Sequence, residues 1–211
     1  MPMLLIVGGV VAAVLAATDW WSVWREKPQV EQCAKPAVMI ALLVLALSLD
    51  ADPTASRWLV VIGLLFGLAG DVFLLPQVDK FLAGLGTFLI GHCVYIAAFL
   101  MMDLAFIGII GGLAAGGVLL SYLGWPIIKN VRGGPYGVPV IAYLAVVVAL
   151  VVVATATHRW PIAAGGVCFA VSDGLLGLDR FVRPAPRRRV LVHMLYHLGQ
   201  AGFVVGLIWL G

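Results

Sequence analysis

The sequence predicts an all-α, polytopic membrane protein of eight transmembrane helices with both termini on the non-cytosolic side. Three observations carry this reading. Of 211 residues, 63% are hydrophobic and 11% charged, far above the apolar share of about 45–50% in soluble domains, and the mean hydropathy is +1.11. The apolar residues fall in runs close to the roughly 20 residues a helix needs to cross a bilayer. Lys and Arg concentrate in alternate intervals between those runs. The 25 glycines, 11 prolines and seven tryptophans suit helices packed in lipid rather than the alternating strands of a β-barrel. A chain this short and apolar leaves no room for a separate soluble domain, so 1–211 reads as a single integral membrane domain. Nucleic-acid binding and soluble Rossmann or P-loop folds are excluded on the same ground.

The first segment, near 3–20, lacks the basic residues that open a signal peptide and runs into Trp20, Trp21 and Trp24, an interfacial anchor. The second, near 36–50, has an apolar core from Ala37 to Leu49 that rises only about 20 Å against a hydrocarbon thickness of about 30 Å, with Lys35 expected to snorkel at its start. The third, fourth and fifth lie near 57–75, 81–101 and 104–124. Gly63 and Gly67, and Gly108, Gly112 and Gly116, recur every four residues there and allow helices to approach closely. A loop from Gly124 to Gly137 then precedes the sixth, seventh and eighth segments, near 137–156, 161–178 and 190–210.

Arg25, Lys27, Lys35, Lys80, Lys129, Arg132, Arg180, Arg183, Arg187, Arg188 and Arg189 fall on one side of this arrangement; Arg57 and Arg159 alone fall on the other. The positive-inside rule places the rich side in the cytosol and both termini outside, which an even number of spans satisfies. All seven tryptophans, at 20, 21, 24, 58, 125, 160 and 209, sit near segment ends, as an aromatic belt requires. Cys33, in a polar stretch, and Cys93 and Cys168, in apolar runs, show no disulfide pattern and read as free thiols.

Within the apolar segments, Asp71 and Asp173 stand out. A carboxylate at membrane depth costs about 2.5–3.5 kcal/mol and is by default a functional candidate. Each lies about a turn and a half before the cytosolic end of its helix. His92 and Tyr95 share a face of the fourth segment, and His193, Tyr196, His197 and Gln200 follow the i, i+3, i+4, i+7 stripe of one face of the eighth. Tyr143, Ser172 and, nearer the surface, Lys35 reach a similar depth. These groups suggest one wet cavity opening toward the cytosol. The pair His193-x-x-x-His197 also suits a zinc site if His92 or an aspartate supplies a third ligand. H-E-x-x-H, G-x-S-x-G and Walker motifs are absent.

The strings GLLFGLAGDVFLL (63–75), FLAGLGTFLIGHCVYIAAF (81–99) and VSDGLLGLDRF (171–181) resemble the YhhN-like lysoplasmalogenase family. So do Lys35-Pro36, Pro139 with Tyr143, and Tyr196 to Gln200. The resemblance implies an eight-helix membrane hydrolase that cleaves the vinyl ether of lysoplasmalogens to a fatty aldehyde and a glycerophospho-alcohol, in bacteria at the inner or plasma membrane. The family aspartates match Asp71 and Asp173, and its helix-four pair matches His92 and Tyr95. His193 and His197 depart from the family pattern, which weakens the zinc reading.

Vinyl ether hydrolysis needs an acid to protonate carbon and a base to activate water, and two carboxylates in unequal surroundings divide those roles. Asp71 and Asp173 are the expected pair. His92, Tyr95, Tyr143, Tyr196 and Gln200 are expected to orient water or substrate, with Lys35 or the basic turns near the lipid phosphate. The expected partners are a lysophospholipid and bilayer lipids, without a cofactor. The alternatives are a zinc-dependent lipid amidase or esterase on His92, His193 and His197, and a proton-coupled transporter.

Overall fold

A computed structural model describes residues 2–49 and 54–208. Trp209 and the outer ends of the second and eighth sequence segments lie outside them. The described residues form α1 (Pro2–Trp24), α2 (Pro28–Leu47), α3 (Thr54–Leu74), α4 (Phe81–Leu100), α5 (Phe106–Val131), α6 (Gly137–Ala156), α7 (Trp160–Phe181) and α8 (Arg188–Ile208). All eight contain windows long and apolar enough to cross a membrane, and no strand occurs among the described residues.

Two helices differ from the sequence reading. Helix α2 starts eight residues early, at Pro28, whose ring suits the first helical turn because the absent N–H would have no partner there. It continues through Pro36, and its 20 residues rise about 30 Å, so the apparent shortfall vanishes. Gln29 to Lys35 reads as a loop because it is polar, yet Glu31 and Lys35 are buried against other helices, and Cys33 is an exposed helical residue rather than a loop residue. Helix α5 does not end at Gly124. It passes through a π-helical turn at Leu120–Gly124 and continues as regular helix to Val131. The wide turn precedes Pro126, whose ring would otherwise meet the carbonyl one turn earlier.

The helices form antiparallel neighbours in the pairs α1–α2, α3–α4, α5–α6 and α7–α8. Glycine sets how closely some of them approach. A Cβ on Gly202 would stand 2.6 Å from the Pro161 carbonyl oxygen, and one on Gly108 would collide with that of Thr155, so α7–α8 and α5–α6 meet backbone to backbone. Outer faces are apolar, as in Ile107, Ile110 and Leu113 of α5. Trp21, Trp24, Trp58, Trp125 and Trp160 are well exposed near one end or the other. Trp20 turns inward instead, and its indole N–H donates to His197 Nδ1 at 3.1 Å.

The interior is closed by an aromatic stack. Tyr95 packs on Phe99 and Phe203, Phe203 on Phe169, and Phe169 on His92 and Tyr196, with ring centroids 4.6–6.1 Å apart. The connections at 25–27, 75–80, 132–136 and 182–187 lie at the end of the bundle that carries the basic residues. The buried ionisable side chains Asp19, Glu31, Lys35, Asp71, His92, His193 and His197 lie toward this basic end, whereas the buried hydroxyls of Ser56 and Thr157 bond to carbonyls at the other.

Candidate active site

Asp71 sits on α3 in the last turn before the basic end, and its side chain is 1% exposed. Its Oδ1 is 3.1 Å from the Lys35 ammonium of α2, and its Oδ2 accepts from the Tyr196 hydroxyl of α8 at 2.8 Å. Tyr196 also rests on Met39 Sδ at 3.4 Å. Deeper in the bundle, the Tyr95 hydroxyl donates to Gln200 Oε1 at 2.5 Å. Four predicted residues are thus joined around one carboxylate or directly beneath it.

The glycines of α3 make this approach possible. A Cβ at Gly67 would stand 2.8 Å from Gln200 Nε2 and 3.1 Å from the Tyr196 hydroxyl, and one at Gly63 would enter the Tyr95 ring. The G-x-x-x-G spacing therefore packs side chains of the polar cluster as well as helices.

Asp173, on α7, has different company. The Tyr143 hydroxyl of α6 donates to its Oδ2 at 2.8 Å, and His92 Nε2 of α4 lies 3.4 Å from the same oxygen. His92 is held edge-on against Phe169 and Tyr143, with centroids at 4.6 and 5.4 Å. Ser172, its neighbour in sequence, donates instead to the Val192 carbonyl and ties α7 to α8.

Asp71 and Asp173 line the same cavity, of about 90 Å³, with Leu74, Phe88 and Leu176 as apolar walls and Glu31, Asp179 and Arg189 toward the basic end. That space admits several water molecules. A narrower apolar extension of about 30 Å³ runs from Asp173 between Phe81, Tyr143 and Phe181. The arrangement is a water-sized chamber flanked by two carboxylates, one beside an ammonium and one between a phenol and an imidazole.

Of the residues proposed from sequence for acid–base or orienting work, Asp71, Asp173 and Tyr196 line the chamber and Tyr143 lines its apolar extension, whereas His92 stands beside Asp173, and Tyr95 and Gln200 pair with each other, without lining either. Lys35, expected at the lipid phosphate, faces Asp71. The three histidines of the zinc alternative do not converge: His92 lies with Asp173, whereas His193 and His197 lie with Asp19 of α1. Among the described residues no group of three or more His, Cys, Asp or Glu side chains is arranged to hold a metal ion.

The polar group around Asp19 was not anticipated. His193 Nδ1 is 2.7 Å from Asp19 Oδ2, and His193 Nε2 is 3.8 Å from Glu31. Arg189 donates to both Glu31 oxygens at 2.8 and 3.1 Å. This network links α1, α2 and α8 at the cavity mouth. Its signal was available: Glu31, Lys35, Val38 and Leu42 share one helical stripe, and Asp19 is an acid in the last turn of an apolar run.

The fold and this site define a polytopic membrane protein with a buried two-carboxylate chamber. Residues 30–207 match the family model described as the YhhN family, and the chain belongs to that family. It is 31% identical over 163 residues to human (Homo sapiens) "Lysoplasmalogenase TMEM86A", a match covering 71% of this chain and 64% of that protein. It is 32% identical over 163 residues to "Lysoplasmalogenase" of Mycobacterium tuberculosis (strain CDC 1551 / Oshkosh), covering 72% of this chain and 60% of that protein. The chain thus spans less than two thirds of the length of the curated relatives it matches. No solved structure matches it.

Proposed function

We propose that this protein hydrolyses the vinyl ether bond of lysoplasmalogens, with Asp173 as acid and Asp71 as base. The observation that carries the proposal is the shared cavity of the two aspartates and the difference between their partners. Asp71 faces Lys35, which supplies a counter-charge for a carboxylate that takes a proton from water. No Lys or Arg ion pair to Asp173 is found among the described residues, and the Tyr143 hydroxyl occupies its Oδ2, leaving Oδ1 to deliver a proton. The names of the relatives support the substrate class.

The step runs as follows. Asp173 gives its proton to the vinyl carbon β to the ether oxygen, and the ether oxygen shares its lone pair to form an oxocarbenium ion. Asp71 removes a proton from water as that water bonds to the carbon bearing the oxygen. The resulting hemiacetal loses its hydroxyl proton to Asp173 while Asp71 returns its proton to the glycerol oxygen, so the C–O bond breaks and both aspartates are restored. The products are a fatty aldehyde and a glycerophospho-alcohol. Ionised Asp71 also stabilises the cation, as a carboxylate does in glycosidases. Arg189, at the mouth, and the Arg183–Arg189 turn favour a phosphate at the basic end.

The test compares aldehyde release from a lysoplasmalogen and its ester analogue by the purified protein, with Asp71→Asn and Asp173→Asn alongside. Aldehyde from the vinyl ether alone, lost in both folded variants and unchanged by a chelator, is the expected result. Absence of aldehyde from folded wild type overturns the proposal.

A further inference from the structure

His193 of α8 lines the cavity that holds Asp71 and Asp173, yet the two-aspartate step leaves it without a task. Its Nδ1 lies 2.7 Å from Oδ2 of Asp19, a fully buried carboxylate of α1 that does not line the cavity. On the opposite edge of the ring, Nε2 is 3.8 Å from Oε1 of Glu31, which does line it. That distance is too long for a hydrogen bond, and no other described residue bonds to Nε2. Nε2 of His92 and Nε2 of His197 are sealed without a partner, but Nε2 of His193 is not among such atoms. It therefore keeps accessible surface, on the chamber side of the ring.

Asp19 determines what this nitrogen offers. A carboxylate only accepts, so the ring proton sits on Nδ1 and Nε2 of the neutral imidazole presents a lone pair. The arrangement is that of an aspartate holding a histidine in one tautomer. A lone pair facing a chamber calls for an O–H or N–H donor on whatever enters. The nearest cations are engaged elsewhere: Lys35 faces Asp71, and Arg189 donates to both oxygens of Glu31. Asp19 also lies outside residues 30–207, which match the family model, so half of this pair comes from beyond the matched segment.

We propose that His193 Nε2 accepts a hydrogen bond from the free sn-2 hydroxyl of the lysolipid, with Asp19 as the positioning residue behind it. The inference rests on the vinyl ether reading and names the part of the substrate that this side of the chamber recognises. Register along α8 carries it. Arg189, His193 and Tyr196 follow at i, i+4 and i+7 on one face, with rises of about 6 and 4.5 Å between them. Arg189 stands at the mouth, on the phosphate side, and Tyr196 donates to Asp71, where the vinyl ether reacts. A glycerol unit carries its substituents in the same order: phosphate on sn-3, hydroxyl on sn-2, vinyl ether on sn-1. His193 therefore meets the middle oxygen.

The chemistry of the lipid agrees. With a phosphocholine head group, the sn-2 hydroxyl is the only O–H or N–H in the molecule, since the phosphate is ionised and the ammonium quaternary. An acyl group at sn-2 removes that hydrogen and leaves Nε2 without a donor. A site built around a substrate hydroxyl rejects analogues that lack it far more strongly than an apolar pocket does.

The test uses three choline lysolipids that differ only at sn-2, with hydroxyl, fluorine or methoxy, and measures kcat/KM for aldehyde release by the full chain in detergent. Each value is divided by the rate of that lipid's uncatalysed acid hydrolysis, which removes the effect of the substituent on the vinyl ether itself. Fluorine keeps the size and removes the donor, whereas methoxy keeps an oxygen acceptor. Wild type is expected to prefer the hydroxyl lipid at least tenfold over both, and this comparison needs no substitution. In His193→Phe, and in Asp19→Leu combined with His193→Phe, which leaves neither partner buried alone, the preference over the fluoro lipid is expected to fall to about twofold or less.

Hydroxyl and fluoro lipids cleaved alike by wild type overturn the assignment. So does a methoxy lipid cleaved as well as the hydroxyl lipid, because His193 would then be donating. A preference that survives in either folded variant also overturns it: a histidine that activates water or packs α1 on α8 lowers the rate on all three lipids equally. In each of these cases vinyl ether hydrolysis stands. Folded wild type that releases no aldehyde from any of the three overturns that reading and this one together.

Discussion

Lys35 on α2 holds its ammonium 3.1 Å from Asp71 on α3, and both side chains are less than one tenth exposed. Ion pairs this deep lose heavily when one member is removed, about 3–5 kcal/mol, because the other charge is left without compensation. The pair gives Lys35 a partner at the carboxylate, and the lipid phosphate expected from sequence would have to compete with Asp71 for the same ammonium.

Lys35→Met is expected to lower kcat by about 10²–10⁴, the range of a disabled acid–base group, and to lower the thermal midpoint. Lys35→Arg restores part of the rate, since the charge remains but the planar fork differs from an ammonium. The double variant Lys35→Met with Asp71→Asn recovers stability without activity, because the remaining pair is neutral. A Lys35→Met enzyme with intact kcat and raised KM would return the residue to the phosphate.

Tyr143 and Tyr196 each donate one hydrogen bond to one aspartate. A hydrogen bond to a charged group contributes about 1.5–3 kcal/mol, so Tyr143→Phe and Tyr196→Phe are each expected to reduce kcat/KM by roughly tenfold to a hundredfold. The two losses are less than additive if the hydroxyls hold opposite ends of one proton path, because breaking either end already disables it, and a double-mutant cycle on kcat/KM measures this.

The depth of Asp71 and Asp173 and the polar stripe of α8 were legible because a membrane forbids idle polar groups. Their partners were less so. Lys35 and Glu31 were placed outside the second span because polarity and Pro36 broke its apolar run, although their helical spacing continues that of Val38 and Leu42. The pairing of Tyr143 with Asp173, and of Tyr196 with Asp71, depends on helix order around the bundle, which no local pattern encodes. Trp20 looked like an interfacial anchor because composition does not reveal which way a side chain turns.

Gly67 and Gly202 separate site geometry from packing. A Cβ at Gly67 meets the mobile ends of Gln200, Tyr196 and Met39. Gly67→Ala is therefore expected to displace Tyr196 from Asp71 and cut kcat about tenfold or more, with a small fall in thermal midpoint. A Cβ at Gly202 meets the Pro161 carbonyl and the Gly165 backbone, which have no rotamer to change. Gly202→Ala should destabilise by about 1–3 kcal/mol, as overpacked cores do, while molecules that remain folded keep their specific activity. Equal effects of both variants on rate and midpoint would show that the α3 glycines serve packing alone.

Orientation is tested by chemical access. Eleven Lys and Arg cluster at one end of the bundle or in the turns beside it, against Arg57 and Arg159 at the other. Anionic lipid and the insertion machinery favour the basic end in the cytosol, and the mouth of the two-aspartate chamber, at that end, is expected to face the same side. In a chain with Cys33, Cys93 and Cys168 replaced by Ala, Pro186→Cys in the basic turn should resist a membrane-impermeant maleimide in intact cells and react after lysis. Asp103→Cys, exposed between α4 and α5 at the opposite end, should react in intact cells. The reverse pattern would place the chamber mouth outside the cell, and lysolipid would then have to reach Asp71 and Asp173 from the outer leaflet.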